Sequence, residues 1–329
     1  MTARCNSDRG NHTRASRSAR EIVVMSITQR LLVRNFLIAF TVVSFVAAGL
    51  AQSGKGTGAG RRSVTLNVIA HAPAGRFVTK EDFDLYDSGT VQEVESFSHL
   101  DTGSHIVLLV DSSANLKVEG PALQNAMQSL INELYQDDQM MVVFYNESAE
   151  IIEDMTAELA RMRTAPAKLI RKGSPSLFDA LVAVADSFAN QANSGVEKRA
   201  IILISDGYDS ESKTKFPDAL RVLQEENILL YAIQASDRTR GALLRDKPKP
   251  PAVLEQLTVG TGGAIYPFDQ TADAAKIIAD DLRKNWYRLV YTPSGINTLN
   301  ARRLLLMSHN KSIELRTKGS HPPRYRSPY

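Results

Sequence analysis

Two aspartates stand where the sequence predicts the ends of buried strands. Asp111 directly follows one long apolar run, and Asp206 follows another after a single serine. Ser113 and Asn115 come shortly after the first aspartate and add hydroxyl and amide groups. Carboxylate, hydroxyl and amide oxygens are the ligands that a hard cation such as Mg²⁺ prefers. These residue types predict a divalent-cation site, provided that the fold brings the two strand ends together.

The elements that must position these residues have the pattern of a parallel sheet covered by helices. The near-continuous apolar runs lie at residues 106–110, 140–144, 200–204 and 228–233. Runs without alternation are typical of strands buried on both faces, and segments with helical spacing separate them. We therefore predict an α/β fold with a doubly wound, mostly parallel sheet that has helices on both faces. Ligands of such sheets bind beyond the carboxyl ends of the strands, where both aspartates are expected.

Three segments, taken in order, resemble the motifs of a known family. Residues 111–115 (DSSAN) look like the D-x-S-x-S metal-ion-dependent adhesion site (MIDAS) of von Willebrand factor type A (VWA) domains. Residues 173–180 (GSPSLFDA) resemble the family's G-G-T-S-L-Y-D-A segment, and residues 199–207 (RAIILISDG) resemble its strand ending in S/T-D-G. The layout of residues 64–319 is similar to VWA-related proteins typical of acidobacteria. The resemblance implies a Rossmann-like VWA fold and a protein-binding function.

The resemblance also implies which residues would bind a metal ion. Asp111, Ser113 and Asp206 match the family's pattern, and Asn115 stands at its second serine position. Ser113 and Asn115 would coordinate directly, whereas the two aspartates would act largely through water. Mg²⁺ or another divalent cation is the implied cofactor, and an acidic side chain of a protein partner would complete its coordination.

One position departs from the family's metal site. The family's threonine falls on Pro175, which has no side-chain oxygen, so Ser174 or Ser176 would have to substitute for it. Ser176 has a competing role, because together with Asp179 it forms an S-x-x-D capping box for the following helix. The sequence therefore leaves open whether the cation site is functional or degenerate.

Three functions remain open on this basis. The first is an exported protein-binding or adhesion module with a partly degenerate MIDAS-type site. The second is a metal-free interaction scaffold that has lost the site, and Pro175 is its main support. The third is a hydrolase, but the chain lacks a G-x-S-x-G nucleophile elbow, and no histidine follows the two aspartate-bearing strands in their loops. We therefore predict that the protein is not an enzyme and name no catalytic residues.

Composition assigns the basic charge of the chain to its N-terminal segment. The 329 residues carry a formal net charge of +3 and one cysteine, which excludes an intramolecular disulfide and a CxxC-type metal site. Seven of the 39 basic residues and two of the 36 acidic residues lie in residues 1–51, so the remainder has a net charge of −2. A mildly acidic chain does not favour nucleic acid as a partner.

The same segment has the pattern of a secretory signal peptide. Within residues 25–51, two arginines precede an uncharged apolar run, and Gly49 and Ala51 place small residues before the expected cleavage site. The run is shorter than the ~20 residues that span a bilayer, so we expect cleavage rather than an uncleaved membrane anchor. The predicted location is the periplasm or the cell exterior.

We expect the following organisation of the chain. A small β unit, built from N- and C-terminal segments, should flank the central domain. The stretch 238–251 is basic and rich in proline, and we predict an exposed loop there. The predicted segments are an over-extended start or disordered region (1–24), a signal peptide (25–51), a linker (52–62), an N-terminal β segment (63–100), a VWA-like domain (103–284), a C-terminal β segment (285–319) and a flexible tail (320–329).

Overall fold

The apolar runs form strands, as their hydrophobic character predicts. The computed structural model describes residues 62–190, 198–241 and 248–323, all within one compact unit, Arg61–Tyr329. Its strands are β1 (Val64–His71), β2 (Phe83–Asp87), β3 (Thr90–Gln92), β4 (Val94–His99), β5 (His105–Asp111), β6 (Gln139–Tyr145), β7 (Ala149–Thr156), β8 (Arg199–Ser205), β9 (Leu229–Gln234), β10 (Ile265–Pro267), β11 (Trp286–Tyr291), β12 (Arg302–Ser308), β13 (Glu314–Thr317) and β14 (Ser320–His321). Its α-helices are α1 (Gly120–Asn132), α2 (Leu159–Met162), α3 (Leu177–Asn190), α4 (Phe216–Glu225), α5 (Pro250–Thr261) and α6 (Thr271–Lys284). Short 3₁₀ helices lie at Lys80–Asp82, Ala165–Lys168 and Phe268–Gln270.

The central sheet has its switch point between β5 and β8. Among the described residues its strand order is β10-β9-β8-β5-β6-β7, and every neighbouring pair is parallel except β6 with the edge strand β7. The chain runs from β5 to β6 on one side and returns through β8 to β9 on the other. In open α/β sheets such a reversal creates a crevice at the carboxyl ends of the two central strands.

Helices cover both faces of this sheet. On one face, α1 buries Leu123 and Ile131 and α6 buries Ile278 against the sheet. On the other face, α3, α4 and α5 pack through residues that include Leu181 and Leu257. The predicted doubly wound α/β fold is confirmed.

Two antiparallel sheets form the flanking β unit. Their strand orders are β13-β1-β11-β4 and β14-β12-β2-β3, so each sheet combines strands from the N-terminal and the C-terminal segment. Leu66, Leu85 and Leu289 lie in their shared core. This confirms a flanking β unit built from both ends of the domain. One detail differs from the sequence prediction: Ser320–His321, placed in the flexible tail, pairs with β12 as a short strand.

A buried carboxylate connects the flanking unit to the central sheet. Asp281 of α6 accepts hydrogen bonds from Arg316 of β13 at 2.6 Å and from Tyr231 of β9 at 3.1 Å. Its other oxygen lies 2.5 Å from Nε2 of His71 in β1. Burial alone would raise the pKa of Asp281, but the hydrogen bond with His71 and the charge of Arg316 hold it below its ordinary value. The ionised carboxylate therefore links three strands to one helix.

None of the helices in the described part of the chain is long and apolar enough to cross a membrane. The segments predicted at 1–24 and 25–51, and all of the linker except residue 62, lie outside the described residues.

Candidate functional site at the carboxyl ends of the parallel strands

The two predicted aspartates lie at the switch point of the central sheet. β5 ends at Asp111, and Asp206 directly follows β8, the strand paired with β5. Both side chains are fully buried. Removing a carboxylate from water without a counter-charge costs several kcal/mol. A positive group is therefore required at this position.

That positive group is the guanidinium of Arg238, from the segment that follows β9. Its Nε and Nη2 donate hydrogen bonds to the two carboxylate oxygens of Asp206, at 2.7 and 2.9 Å. Nη2 also donates to Asp111 at 2.5 Å, and Nη1 donates to the hydroxyl of Ser113 at 2.8 Å. The Arg238 side chain is only 8% exposed. One arginine thus joins three of the predicted metal ligands, with the bidentate geometry that gives the stronger charge-assisted hydrogen bonds.

Neighbouring groups hold this cluster in place. The backbone N–H of Arg238 donates to Asp206 at 3.0 Å, and the guanidinium lies 5.3 Å from the centre of the Tyr208 ring. Ser113 donates to Asp111 from both its backbone N–H and its hydroxyl, at 2.8 and 2.5 Å. The orientation of each charged group is therefore set by hydrogen bonds from its own loop as well as by the ion pairs.

Burial and the neighbouring charges act in opposite directions on the pKa values of Asp111 and Arg238. Burial raises the pKa of Asp111, and the charge of Arg238 and the hydrogen bonds of Ser113 offset this only in part. Burial alone would lower the pKa of Arg238, but its hydrogen bond to Asp206 and the two carboxylate charges raise it, so the guanidinium stays charged. Arg238 therefore keeps its positive charge beside Asp111, whose charged form burial disfavours.

A glycine shapes the turn after β8. Gly207 has φ +82, and a Cβ at this position would lie 2.1 Å from the carbonyl oxygen of Pro250. The residue that follows, Tyr208, donates its N–H to Asp206 at 3.1 Å. Only glycine combines this backbone conformation with so close an approach, which explains its place directly after the aspartate.

A second arginine fixes the loop between β5 and α1. The Arg171 guanidinium donates to the carbonyl oxygens of Val118 at 2.6 Å and Ala114 at 3.1 Å, and also to that of Leu116. In addition, the N–H of Ala114 donates to the carbonyl oxygen of Gly173 at 3.1 Å. The loop that carries Ser113 is thereby fastened to the segment before α3.

Comparison with known families now identifies this part of the chain. Residues 105–258 match the family model of the von Willebrand factor type A domain. The chain contains a VWA domain. Asp111, Ser113, Asp206 and Arg238 all lie within it, and the family predicted from the three motifs is confirmed. VWA domains are generally interaction modules rather than enzymes.

Solved structures that resemble the chain include proteins from three organisms. An aerotolerance-related membrane protein from Bacteroides fragilis is 16% identical, with a TM-score of 0.45; the match covers 55% of this chain and 100% of that one. A VWA protein from Catenulispora acidiphila is 12% identical, with a TM-score of 0.45 and coverage of 79% and 73%. Manganese-loaded TRAP protein from Plasmodium vivax is 14% identical, with a TM-score of 0.44 and coverage of 74% and 100%. No curated protein sequence is significantly similar to this chain.

The arginine cluster does not include the other predicted ligands of the VWA domain. Among the described residues, the hydrogen bonds of the Arg238 guanidinium reach Asp111, Ser113 and Asp206 only. Asn115 is exposed and Ser174 is partly exposed. Ser176 is buried, and its backbone N–H donates to the carbonyl oxygen of Asn146 at 2.7 Å.

The first turn of α3 is capped from a distant loop, so the predicted capping box is wrong. The N–H groups of Phe178 and Asp179 both lie 3.1 Å from the hydroxyl of Ser212. The carboxylate of Asp179 accepts the N–H of Thr214 at 2.8 Å, rather than reaching back to Ser176. A loop that follows β8 has displaced the local S-x-x-D arrangement, which sequence spacing alone does not reveal.

The donor set does not fit a divalent cation in this arrangement. The guanidinium takes up the oxygens of Asp111, Ser113 and Asp206 that a metal ion would need, and Pro175 offers no side-chain oxygen. Mg²⁺ demands near-ideal octahedral geometry and tolerates few such losses. In the part of the chain that the structure describes, no group of three or more His, Cys, Asp or Glu residues could hold a metal ion. The Mg²⁺ site stays a prediction.

Arg238 is the residue that sequence reasoning missed. An exposed loop is predicted over 238–251, which is wrong for Arg238 at 8% exposure and for the end of the stretch, where Pro250 begins α5. A usable signal exists: Arg238 follows β9, and β9 is the parallel neighbour of β8. Segments that follow adjacent parallel strands meet at one end of the sheet, so the order of the strands predicts that the charge of Arg238 lies near the two aspartates.

Proposed function

We propose that this protein is an exported protein-binding module whose VWA domain works without a divalent cation. The VWA match supports an interaction function in general terms. The observation that carries the metal-free form is the Arg238 guanidinium, hydrogen-bonded to Asp111, Ser113 and Asp206. Of the functions left open by the sequence, this is the interaction scaffold that has lost its metal site.

The loops around the cluster form the proposed binding face. Arg238 holds the segment after β9, and Arg171 holds the loop after β5, so both are ordered before any partner arrives. Rigid loops lose less conformational entropy on binding, which favours affinity. Asn115 and Lys172 are exposed on this face and available for contact.

Export is supported by the sequence of the leader. Residues 25–51 have the charge, apolar run and small residues of a signal peptide. The chain that remains after residue 51 contains no cysteine, which suits an oxidising compartment. We therefore place the mature protein in the periplasm or outside the cell.

The second candidate is the metal-dependent module. In it, Asp111, Ser113, Asn115 and Asp206 bind Mg²⁺ or another divalent cation, with Ser174 or Ser176 in place of the missing threonine, and a partner carboxylate completes the site. The observation in its favour is that Asp111 and Asp206 are both fully buried at the ends of two paired parallel strands, β5 and β8. In this form Arg238 must leave the cluster before the metal ion binds.

Site-specific photocrosslinking in the native host tests whether a partner protein binds at the proposed face. A benzophenone amino acid is placed at Asn115 or Lys172 on the proposed face, and at Asp101 or Asp137 as matched controls. The controls are exposed and lie just before β5 and β6, at the opposite edge of the parallel sheet. We expect a discrete protein adduct from the first pair only, with equal yield in EDTA and in Mg²⁺.

Each outcome has a clear meaning. Equal adducts from both pairs, or from neither, would contradict the proposed binding face. An adduct that forms on the proposed face but disappears in EDTA would contradict the metal-free form and favour the second candidate.

A further inference from the structure

We infer that Arg238 is a permanent replacement for the metal ion, and that it blocks a cation site which its removal would open. This inference rests on the metal-free form of the proposed function. The inference names Arg238 as a cause of metal independence, in addition to the two departures from the family's ligand pattern at Pro175 and Asn115. It also concerns a residue outside the three motifs that resemble the family.

The guanidinium and a metal ion compete for the same atoms. Arg238 uses both oxygens of Asp206, one oxygen of Asp111 and the hydroxyl of Ser113, at 2.5–2.9 Å. A divalent cation bound to these side chains would lie within contact distance of the guanidinium, and two cations cannot share that space. The site can therefore hold either the Arg238 guanidinium or a divalent cation, but not both.

The guanidinium performs the two structural tasks that such a cation would have. It supplies positive charge to two fully buried carboxylates, and it ties the segment after β9 to the ends of β5 and β8. A guanidinium is covalently attached and does not deprotonate in proteins, so neither a chelator nor a change of pH within the physiological range removes it.

The burial of Arg238 also limits which groups of the domain a partner protein can contact. With a side-chain exposure of 8%, Arg238 has its hydrogen-bonding groups directed to its own domain, not to solvent. A carboxylate of a partner protein therefore cannot bind to the guanidinium in the way that it would complete the coordination sphere of a metal ion. Recognition has to use the exposed groups around the cluster instead, such as Asn115.

The chain offers a matched control in the same segment. Arg240 lies two residues beyond Arg238 and is exposed. Replacing either arginine by alanine changes the net charge equally and alters the same segment. Only Arg238→Ala removes the charge that faces the aspartates.

The test compares purified wild-type protein, Arg238→Ala and Arg240→Ala by Mn²⁺ electron paramagnetic resonance and by thermal unfolding. We expect no bound Mn²⁺ in the wild type or in Arg240→Ala, and the same Tm in EDTA and in Mn²⁺. We expect Arg238→Ala to have a lowered Tm in EDTA and to bind Mn²⁺. Above its Kd, Mn²⁺ should raise that Tm by about 3–5 °C for each tenfold increase in concentration.

A second variant guards against a failure to fold. Arg238→Gln keeps amide donors for one aspartate but removes the charge, and it should also gain Mn²⁺ binding. A folded Arg238 variant that binds no more Mn²⁺ than Arg240→Ala would overturn the inference. Mn²⁺ bound to wild-type protein and lost in Asp206→Asn would overturn it even if neither Arg238 variant folds. These readouts use purified protein alone, so their failure is distinguishable from a failure of the crosslinking experiment.

Discussion

At the scale of single residues, Arg238 and Asp206 form the most closely paired charges of the candidate site. The two side chains share two hydrogen bonds, and a third reaches Asp206 from the backbone of Arg238. Removal of Asp206 would take away these three hydrogen bonds and leave the buried guanidinium with Asp111 as its carboxylate partner in the cluster.

Asp206→Ala should therefore lower the free energy of unfolding by about 1.5–3 kcal/mol, the usual cost of losing buried hydrogen bonds to a charged group. Urea denaturation of the purified protein measures this. Asp218→Ala is the control: Asp218 is 58% exposed, so its loss should change the free energy by no more than about 0.5 kcal/mol. Equal stabilities of the two variants would show that the buried pair has no energetic role.

Arg171 provides a second prediction at this scale. Arg171→Ala removes the donors that hold the carbonyl oxygens of Ala114 and Val118, so the loop after β5 should open more often. Hydrogen exchange should speed up at the amides of residues 112–118 but not in β9. Unchanged exchange in that loop would mean that other contacts suffice to order it.

At the scale of elements, the joint between α6 and the flanking strands should make stability depend on pH. The hydrogen bond that His71 donates to Asp281 raises the pKa of His71 above 6.5. The stabilisation from this imidazolium is therefore complete below pH 6.5 and is lost as pH rises through the folded-state pKa. The pKa of Asp281 lies below 3.8, so its contribution is present above that pH and is lost as pH falls.

We therefore expect the free energy of unfolding to decline on both sides of a plateau between about pH 4 and 6.5. Denaturation curves across pH 3–9 test this. His71→Gln should flatten the alkaline decline alone, whereas Asp281→Asn should flatten both. A wild-type profile identical to that of Asp281→Asn would rule out this pair as the source.

Elements were predictable where one physical signal dominates. Continuous apolar runs identified β5, β6, β8 and β9, because strands buried on both faces tolerate few polar residues. The strand ends that carry Asp111 and Asp206 followed from the same runs. The cap of α3 and the position of Arg238 were not predictable in this way, because both depend on contacts between segments far apart in the chain. The spacing of residues within one segment does not indicate which distant loop will contact a helix end or pair with a buried charge.

At the scale of the whole molecule, the proposed export determines in which compartment the proposed binding face meets its partner. Mass spectrometry of the protein isolated from its host should find a mature N-terminus at Gln52, in the periplasmic or extracellular fraction. Replacing Ala51 by a bulky residue should leave the precursor uncut, because signal cleavage requires small residues there. An N-terminus upstream of residue 25 in the cytosolic fraction would contradict export.

The nature of the cation at the switch point decides how this whole molecule works. In the proposed function a guanidinium replaces a metal ion there, so that the VWA domain keeps its fold and its binding face without metal. A crystal structure of the wild-type protein grown in Mn²⁺, with anomalous data, tests this directly. We expect no anomalous peak between Asp111 and Asp206, and hydrogen bonds from Arg238 to both. A peak between the two carboxylates, with Arg238 displaced into solvent, would contradict it.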